Sequence, residues 1–307
     1  MLKDFILIPC HNRCQYTLKC LRNLKALGLF DLCVVVLVDD GSTDGTAQEV
    51  NTHYPQVKVL IGSGKLFWTG AMEVGMRYAM MHGAETMVWL NDDSSIPPGV
   101  IDRLIRVAKE SSGMASALGF VNEHTVGKNW YFPAQYHSWS GLVSKEILPD
   151  SGLVPVDACR GNLVAISRIA VEKVGFPDGR SMPHISGDSD YSLRVTRAGL
   201  PCLIVTDVQL EEVDTVKTDN VSWLLGEIRL SEVWSKILSR RSSLYPRMKW
   251  VYLTRHWGLI GVLQFPLPYL KLIAISILRI LIPRTILISM YGKHSHAWKA
   301  HSWLRKQ

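Results

Sequence analysis

Apolar and polar residues alternate in blocks through the first third of the chain. The purely apolar runs are too short for helices and are typical of strands buried on both faces. These predicted strands cover residues 5–9, 33–38, 57–61 and 86–90. The intervening segments carry apolar residues at helical spacing, as at Leu18, Leu21 and Leu24. The predicted helices cover residues 15–29, 42–54, 69–82 and 99–111. This alternation predicts an α/β fold with a mostly parallel sheet and helices on both faces.

Acidic residues follow the predicted strands. Parallel strands end at one edge of a sheet, which is where α/β proteins bind ligands. The acids at this predicted edge are Asp39, Asp40, Asp44, Asp92 and Asp93. Crowded carboxylates repel one another and raise each other's pKa, and a divalent cation removes the repulsion. Mg²⁺ or Mn²⁺, held by one or two carboxylates together with substrate phosphates, fits such short acidic turns.

Composition agrees with a packed protein. The chain has 307 residues, of which 47% are hydrophobic and 20% charged, so disordered and collagen-like classes are excluded. This length suits one large domain or two ordinary ones. None of the six cysteines forms a C-x-x-C pair, which argues against a zinc knuckle. No secretory signal is recognisable near residue 1, so we expect the body of the protein in the cytoplasm.

The charge is divided unevenly along the chain. No acid follows Glu232, whereas 13 Lys and Arg and five of the ten Trp lie beyond it. Basic charge mixed with Trp, Leu and Ile predicts attachment to an anionic membrane surface, and long aliphatic runs argue against nucleic acid as the partner. Lys271, Arg279 and Pro283 interrupt the apolar stretch, so interfacial amphipathic helices are favoured over a spanning helix. An irregular insertion and a homo-oligomer through these helices are the alternatives.

Four motifs occur in an order that resembles a known family. They read IPCHNR, VDDGSTDGT, WLNDDS and GDSDYSLRVTRAG, and the match runs from about Phe5 to Pro201. The chain resembles the inverting GT-A glycosyltransferases of family 2, in particular bacterial rhamnosyltransferase-like members that build surface polysaccharides. The resemblance implies a Rossmann-like GT-A fold and a nucleotide-sugar donor.

The resemblance assigns donor-binding roles to residues at the predicted sheet edge. His11 takes a place where the family often has Tyr, and any stacking on the base would involve its imidazole. Asp39 and Asp40 are also ordinary turn formers, and we favour binding for the more buried of them. Core packing explains Trp68 as well as donor binding does. The implied donor-binding residues are Pro9, His11, Asn12, Arg13, Asp39, Asp40, Gly64, Trp68, Gly70 and Asp92.

The resemblance also assigns the chemistry. Asp93 lies at the metal-binding position of the DxD-type element, in which Asn91 replaces the first acid. Asp188 matches the base that takes the proton of the attacking hydroxyl. The implied acceptor or support residues are Asp190, Arg194, Gly161 and Asn162.

Two departures from the family pattern concern the same site. Gly187 stands where relatives often have Glu before the base, and no His lies between residues 203 and 223 to complete a metal site. Glu211, Glu212 and Asp214 are the nearest alternative ligands, and the sequence does not choose among them. Aromatic residues that would suit acceptor contacts, or equally core packing, are Trp130, Tyr131, Phe132, Tyr136 and Trp139.

These observations predict a GT-A catalytic domain at residues 1–225 and a basic, Trp-rich helical membrane-association region at 226–307. The predicted activity is metal-dependent, inverting transfer of a sugar to a hydroxyl of a lipid-linked surface glycan at the cytoplasmic face of the membrane. Rhamnose from dTDP-rhamnose is the leading donor, by resemblance alone. The alternatives are a nucleotidyltransferase, which would need a Gly- and Lys/Arg-rich loop near residues 9–13, and a non-catalytic sugar-nucleotide-binding scaffold.

Overall fold

The computed structural model describes residues 2–123, 127–130, 134–136, 143–146, 152–212, 229–283 and 285–286. Its strands are β1 (Asp4–Cys10), β2 (Val34–Asp39), β3 (Lys58–Ile61), β4 (Thr86–Leu90), β5 (Ser94–Ser95), β6 (Met114–Glu123), β7 (Gly127–Trp130), β8 (Ala134–Tyr136), β9 (Val143–Glu146), β10 (Leu153–Pro155), β11 (Leu163–Ser167) and β12 (Cys202–Glu212). Its helices are α1 (Cys14–Ala26), α2 (Leu29–Leu32), α3 (Thr46–His53), α4 (Phe67–Met81), α5 (Val100–Ser111), α6 (Arg168–Val174), α7 (Gly187–Arg197), α8 (Leu230–Leu238), α9 (Pro246–Gln264) and α10 (Leu267–Leu281).

The main sheet is mixed and mostly parallel, as predicted. Its strand order is β10-β12-β6-β11-β4-β1-β2-β3. Strand β1 pairs in parallel with both β2 and β4, so the chain winds to opposite sides of β1. A crevice at the carboxyl ends of the strands accompanies such a reversal and is the usual ligand site of α/β sheets. Strand β11 is antiparallel to β4 and β6.

Two apolar layers cover the sheet. Alternate residues of β1 point to opposite faces, so Ile6 and Ile8 join one buried cluster while Phe5 and Leu7 join the other. Helices α1 and α5 contribute to the first cluster, and α4 and α7 to the second. This double burial explains why the predicted strands read as continuous apolar runs. The six cysteines are free, and all but Cys14 are buried.

The predicted helices differ from the observed ones at their ends. The predicted helix 15–29 stops at Ala26, and Gly28 adopts a left-handed conformation before the short helix α2. The predicted helix 42–54 begins only at Thr46, because residues 40–45 form a turn that serves the sheet edge. Polar residues at positions 42–44 suit a turn as well as a helix cap, which is why the pattern misplaced the boundary.

Residues 1–214 and 215–307 form two compact units. In the second unit, Gly258 interrupts α9 with φ 54° and ψ −125°, a conformation that only glycine adopts readily. The Trp250 ring meets the Phe265 ring edge-on with centroids 5.2 Å apart. A straight helix would separate these residues by about 22 Å. The chain therefore folds back at Gly258 into a helical hairpin.

Among its described residues, the second unit contains one helical stretch that bears on the preference for interfacial helices over a spanning helix. By length and composition, the helical stretch Pro246–Leu281 is long and apolar enough to cross a membrane, and 11% of its most apolar window is buried. This stretch includes residues on both sides of the fold-back at Gly258.

Candidate donor and catalytic site

The predicted site residues of the first three motifs lie at the carboxyl ends of β1, β2 and β4. Pro9 is half-buried near the end of β1, in register with Val38 of β2. Asn12 ties the loop after β1 to the loop after β2. Its backbone N–H donates to Ser42 Oγ at 2.8 Å, and its Oδ1 accepts from the Thr43 N–H at 2.7 Å. Asn12 makes these contacts at φ 53°, a conformation that asparagine tolerates.

His11 continues the same connection. Its Nδ1 lies 2.7 Å from the carbonyl oxygen of Asp40, and its Nε2 lies 3.3 Å from the Asn12 side-chain amide. A neutral ring protonated at Nδ1 satisfies both contacts, donating to Asp40 and accepting from Asn12. The first two motifs therefore form one hydrogen-bonded rim.

Asp39 and Asp40 are both buried and hold different loops. Asp40 accepts backbone N–H bonds on both carboxylate oxygens, from Gly64 at 2.8 Å and Phe67 at 2.9 Å. It thus shapes the loop that leads into α4. Asp39, the more buried of the two, accepts the Ser42 N–H on Oδ1 at 2.8 Å. Each acid thus stabilises a loop in this structure, and Gly64 is an exposed member of the loop that Asp40 holds.

Arg13 neutralises both acids of the DxD-type element. Its Nε donates to the two oxygens of Asp92 at 2.9 and 3.1 Å, and its Nη2 donates to Asp93 Oδ2 at 2.9 Å. Thr17 Oγ1 also donates to Asp92 at 3.1 Å. Burial raises the pKa of Asp92 to about 6, with Arg13 opposing the rise and Asp93 adding to it. Sequence reasoning had placed Arg13 in the donor pocket and did not identify this pairing.

A divalent cation would take only a few of its ligands from this loop. Within the described residues, no three His, Cys, Asp or Glu side chains are grouped to hold a metal ion. Asp93 keeps 20% of its side chain exposed, and no described residue donates to its Oδ1. One such oxygen suits an ion that takes its other ligands from phosphate and water. Asp92, paired and 5% exposed, is not available in the same way.

The alternative ligands predicted downstream are only partly described. The backbones of Glu211 and Glu212 pair with Ser95 and Ser94 of β5, directly after Asp93. Asp214 lies outside the described residues, as do Tyr131, Phe132 and Trp139, and the side chains of Trp130 and Tyr136 are not described.

Asp188 is connected to the acidic loop by way of Gly161 and Asn162. Its Oδ2 accepts the Gly161 N–H at 3.0 Å, and its Oδ1 accepts the Ser189 N–H at 2.7 Å. Asn162, the next residue, accepts the Asn91 N–H on its carbonyl oxygen at 3.0 Å. Asn91 directly precedes Asp92 and Asp93, so the segment Gly161–Asn162 joins the predicted base to the predicted metal-binding loop. Asp188 is half-buried in the first turn of α7, where the helix dipole favours a carboxylate.

Trp68 lies where the core meets this site. Its Nε1 donates to Asn91 Oδ1 at 2.8 Å, and its ring meets Trp89 edge-on at 5.3 Å. A Cβ at Gly161 would lie 2.5 Å from the Trp68 ring and 3.1 Å from Asp188 Cβ. Gly161 is therefore the residue that lets Trp68 and Asp188 approach each other. The two interpretations of Trp68, core aromatic and site residue, both describe part of its surroundings.

Glycines also bring α4 against the start of α7. A Cβ at Gly187 would lie 2.1 Å from Thr69 Oγ1, which explains why a larger residue is absent before Asp188. Gly70 passes close to Gly179, whose added Cβ would lie 2.6 Å from Gly70 Cα. Gly70 therefore packs against the loop before α7. Sequence reasoning missed the fit between Thr69 and Gly187, because no local pattern links residues so far apart.

Asp190 and Arg194 support α7 from inside. Asp190 is fully buried and accepts from Arg194 Nε at 3.0 Å. Arg194 also donates to the carbonyl oxygens of Val174 at 2.7 Å and Phe176 at 2.9 Å. The pair thus fixes the turn of α7 that carries Asp188 against the end of α6, and Arg194 orients a carboxylate as the sequence suggested.

Comparisons with known proteins agree with this architecture. Residues 5–175 match the family described as Glycosyl transferase family 2. The undecaprenyl-phosphate mannosyltransferase of Micrococcus luteus is 27% identical over 150 residues, which cover 46% of this chain and 61% of that protein. The chain thus spans less than two thirds of the length of this relative.

Two solved structures share the fold. GalNAc-T7 with UDP, GalNAc and Mn²⁺ superposes with a TM-score of 0.55 at 16% identity, covering 71% of this chain and 45% of that one. The mannosyltransferase PcManGT from Pyrobaculum calidifontis, in complex with GDP-Man and Mn²⁺, gives 0.53 at 14% identity, covering 99% and 84%. The fold is GT-A-like, and the family match extends over more than half of the chain. The chain belongs to glycosyltransferase family 2.

Proposed function

We propose that this glycosyltransferase moves a sugar, with inversion, from a nucleotide-diphosphate donor to a hydroxyl of a lipid-linked cell-surface glycan. The observation that carries the proposal is the hydrogen-bonded path from Asp188 through Gly161 and Asn162 to Asn91 and the acidic loop. It supports a base and a phosphate-binding edge that serve one reaction centre. A scaffold protein would need no such connection.

Asp188 is the proposed base. Two backbone N–H groups fix its carboxylate, and its partial exposure lets an acceptor hydroxyl reach it. It takes the proton of that hydroxyl as the oxygen attacks the anomeric carbon from the face opposite the nucleotide. A single base suffices for such a direct displacement.

The proposed donor site is the rim made by His11, Asn12, Asp39 and Asp40. Asp93 would hold Mg²⁺ or Mn²⁺, and the ion when bound neutralises the diphosphate as charge develops on the departing nucleotide. Arg13, already at the acidic loop, adds a fixed positive charge at the same edge. Asp92, buried and paired with Arg13, would hold the loop that carries Asp93.

The donor sugar has two leading candidates. The resemblance of the motifs supports rhamnose from dTDP-rhamnose. The Micrococcus relative and PcManGT are both mannosyltransferases, which supports mannose. The same relative, named for undecaprenyl phosphate, supports a polyprenyl-linked acceptor. In this proposal the enzyme acts at the cytoplasmic face of the membrane, with residues 1–225 catalytic and residues 226–307 attached to the lipid surface.

A donor screen followed by transfer tests the proposal. We expect one nucleotide sugar, among dTDP-rhamnose, GDP-mannose and their UDP counterparts, to raise the thermal unfolding temperature only when Mg²⁺ or Mn²⁺ is present. The same donor should then label a lipid extract with its sugar. Protection by no nucleotide sugar would contradict the proposal. Formation of nucleoside triphosphate and sugar 1-phosphate when pyrophosphate is added to the donor, with no sugar transferred to lipid, would indicate a nucleotidyltransferase.

A further inference from the structure

The second arm of the helical hairpin, residues 259–281, turns an apolar face outward. Leu259, Leu263, Leu270, Ile273, Ile277 and Leu281 are all exposed, with 45–83% of their surface accessible. Their spacing of three, four and seven residues places them on one side of the helix. Gly261 and Leu272 lie on the opposite side and are buried. A soluble helix has the reverse arrangement.

The hairpin contacts explain what covers the other side of this arm. A Cβ at Gly261 would lie 2.1 Å from the Leu253 carbonyl oxygen, so the two arms pack closely near the turn. Farther along, the Tyr269 hydroxyl donates to the Leu244 carbonyl oxygen at 2.9 Å, and Leu272 packs against Ile237. The inner side is therefore occupied by this unit itself, whereas the residues of the outward face stay exposed.

The charges of this region identify the occupant. Every charged residue after Glu232 is Lys or Arg. Lys271 lies at the flank of the apolar face, one residue beyond Leu270, where a long side chain can reach lipid headgroups. An apolar face bordered only by positive charge complements an anionic lipid surface.

We propose that the outward face of residues 259–281 lies in the plane of an anionic phospholipid leaflet along its whole length of about 33 Å. The fold-back at Gly258 leaves Lys271 in the middle of this arm, which favours an arm lying along the headgroups over one crossing the hydrocarbon. The proposal deepens the membrane location given under the proposed function, and it requires no donor, metal or sugar transfer.

Flotation with lipid vesicles tests the surface directly. The wild-type protein should float with vesicles of phosphatidylglycerol and phosphatidylcholine, and Leu270→Gln/Ile277→Gln should bind them at least about tenfold more weakly. Met81→Gln/Ile169→Gln, the same change at exposed positions of the first unit, is the matched control and should bind like wild type. Failure of wild type to float, or equal loss in the control, would overturn the proposal.

Charge and depth complete the test. Lys271→Gln should weaken binding to phosphatidylglycerol vesicles about fivefold and leave binding to pure phosphatidylcholine unchanged. Fluorophores attached at Leu263→Cys, Leu270→Cys and Ile277→Cys should all lie at the same shallow depth. The depth is measured from their quenching by lipids that carry a quencher at known positions along the acyl chain. Depths that increase steadily along the arm would indicate a spanning helix.

A dimer that forms without lipid and that Leu270→Gln/Ile277→Gln dissociates would assign the face to a second copy of the chain. Steadily increasing depths or such a dimer would overturn the proposal, whereas lost transfer with intact flotation would count only against the proposed function.

Discussion

Carboxylates of similar sequence context perform different tasks at this sheet edge. Asp40 uses both oxygens to hold backbone N–H groups, whereas Asp92 is buried against Arg13 and Thr17. Asp93 keeps an oxygen accessible, and Asp188 is held by two backbone donors while partly exposed. Hydrogen-bond partners and exposure, which the sequence does not record, separate the structural acids from those suited to chemistry.

The raised pKa of Asp92 makes stability depend on pH. The folded carboxyl retains its proton to about pH 6, while the unfolded one loses it near 3.8. Folding therefore weakens as the pH rises from about 4 to 6, by about 1.4 kcal/mol for each unit of pKa difference. Denaturant unfolding in a metal-free buffer should show this slope in the wild type and a smaller one in Asp92→Asn. An equal slope in both proteins would contradict the assignment.

Gly161 controls the distance between Trp68 and Asp188. In Gly161→Ala the new Cβ would lie 2.5 Å from the indole, so the ring or the segment must shift. We expect unfolding free energy to fall by about 1–3 kcal/mol and kcat/KM to fall about 10- to 100-fold. Trp68→Phe removes the two ring atoms concerned and should restore part of the stability of Gly161→Ala. Wild-type kinetics in Gly161→Ala would argue against this packing.

At the scale of elements, β1, β2 and β4 bring the first three motifs together. The fourth motif lies on α7, which packs against α4. The alternation of apolar runs and helical periodicity predicted β1, β2 and β4, because strands buried on both faces are recognisable as continuous apolar runs. It did not predict how α4 and α7 pack together. The pattern could not predict that Asn12 would connect two loops or that Arg13 would pair with Asp92 and Asp93. These contacts depend on how strand ends align across 30 to 80 residues of sequence.

The junction of α4 and α7 should be sensitive to a single methyl group. In Gly187→Ala the added Cβ would lie 2.1 Å from Thr69 Oγ1 and 2.6 Å from its Cγ2. We expect a loss of about 1–3 kcal/mol in unfolding free energy together with reduced transfer. Thr69→Ala, which removes both atoms, should recover much of that loss in the double variant. Additive effects in the double-mutant cycle would show that the two residues do not touch.

At the scale of the whole molecule, the chain combines an acidic first unit with a basic, apolar second unit. The uneven charge is visible in the sequence, where no acid follows Glu232. The sequence did not predict the hairpin, because Gly258 in an apolar stretch reads as an ordinary helix residue until its φ is known. The outward apolar face follows from that fold-back.

The fold-back can be tested with one substitution. Alanine at position 258 cannot adopt φ 54° and ψ −125° without strain, so Gly258→Ala should open the hairpin and weaken vesicle binding. Gly83→Ala, at another glycine with positive φ but in the first unit, should leave vesicle binding unchanged. Donor-dependent thermal protection should persist in Gly258→Ala. Normal flotation of this variant would contradict the role of the hairpin.

The central claim is that Asp188 acts as the base for a donor bound at the acidic loop. The most direct measurement compares sugar transfer with metal-dependent thermal protection by the donor in wild type and Asp188→Asn. The amide keeps the size of the carboxylate but takes up no proton, so transfer should fall about 10²- to 10⁴-fold while protection is retained. Transfer at the wild-type rate in Asp188→Asn would contradict the claim.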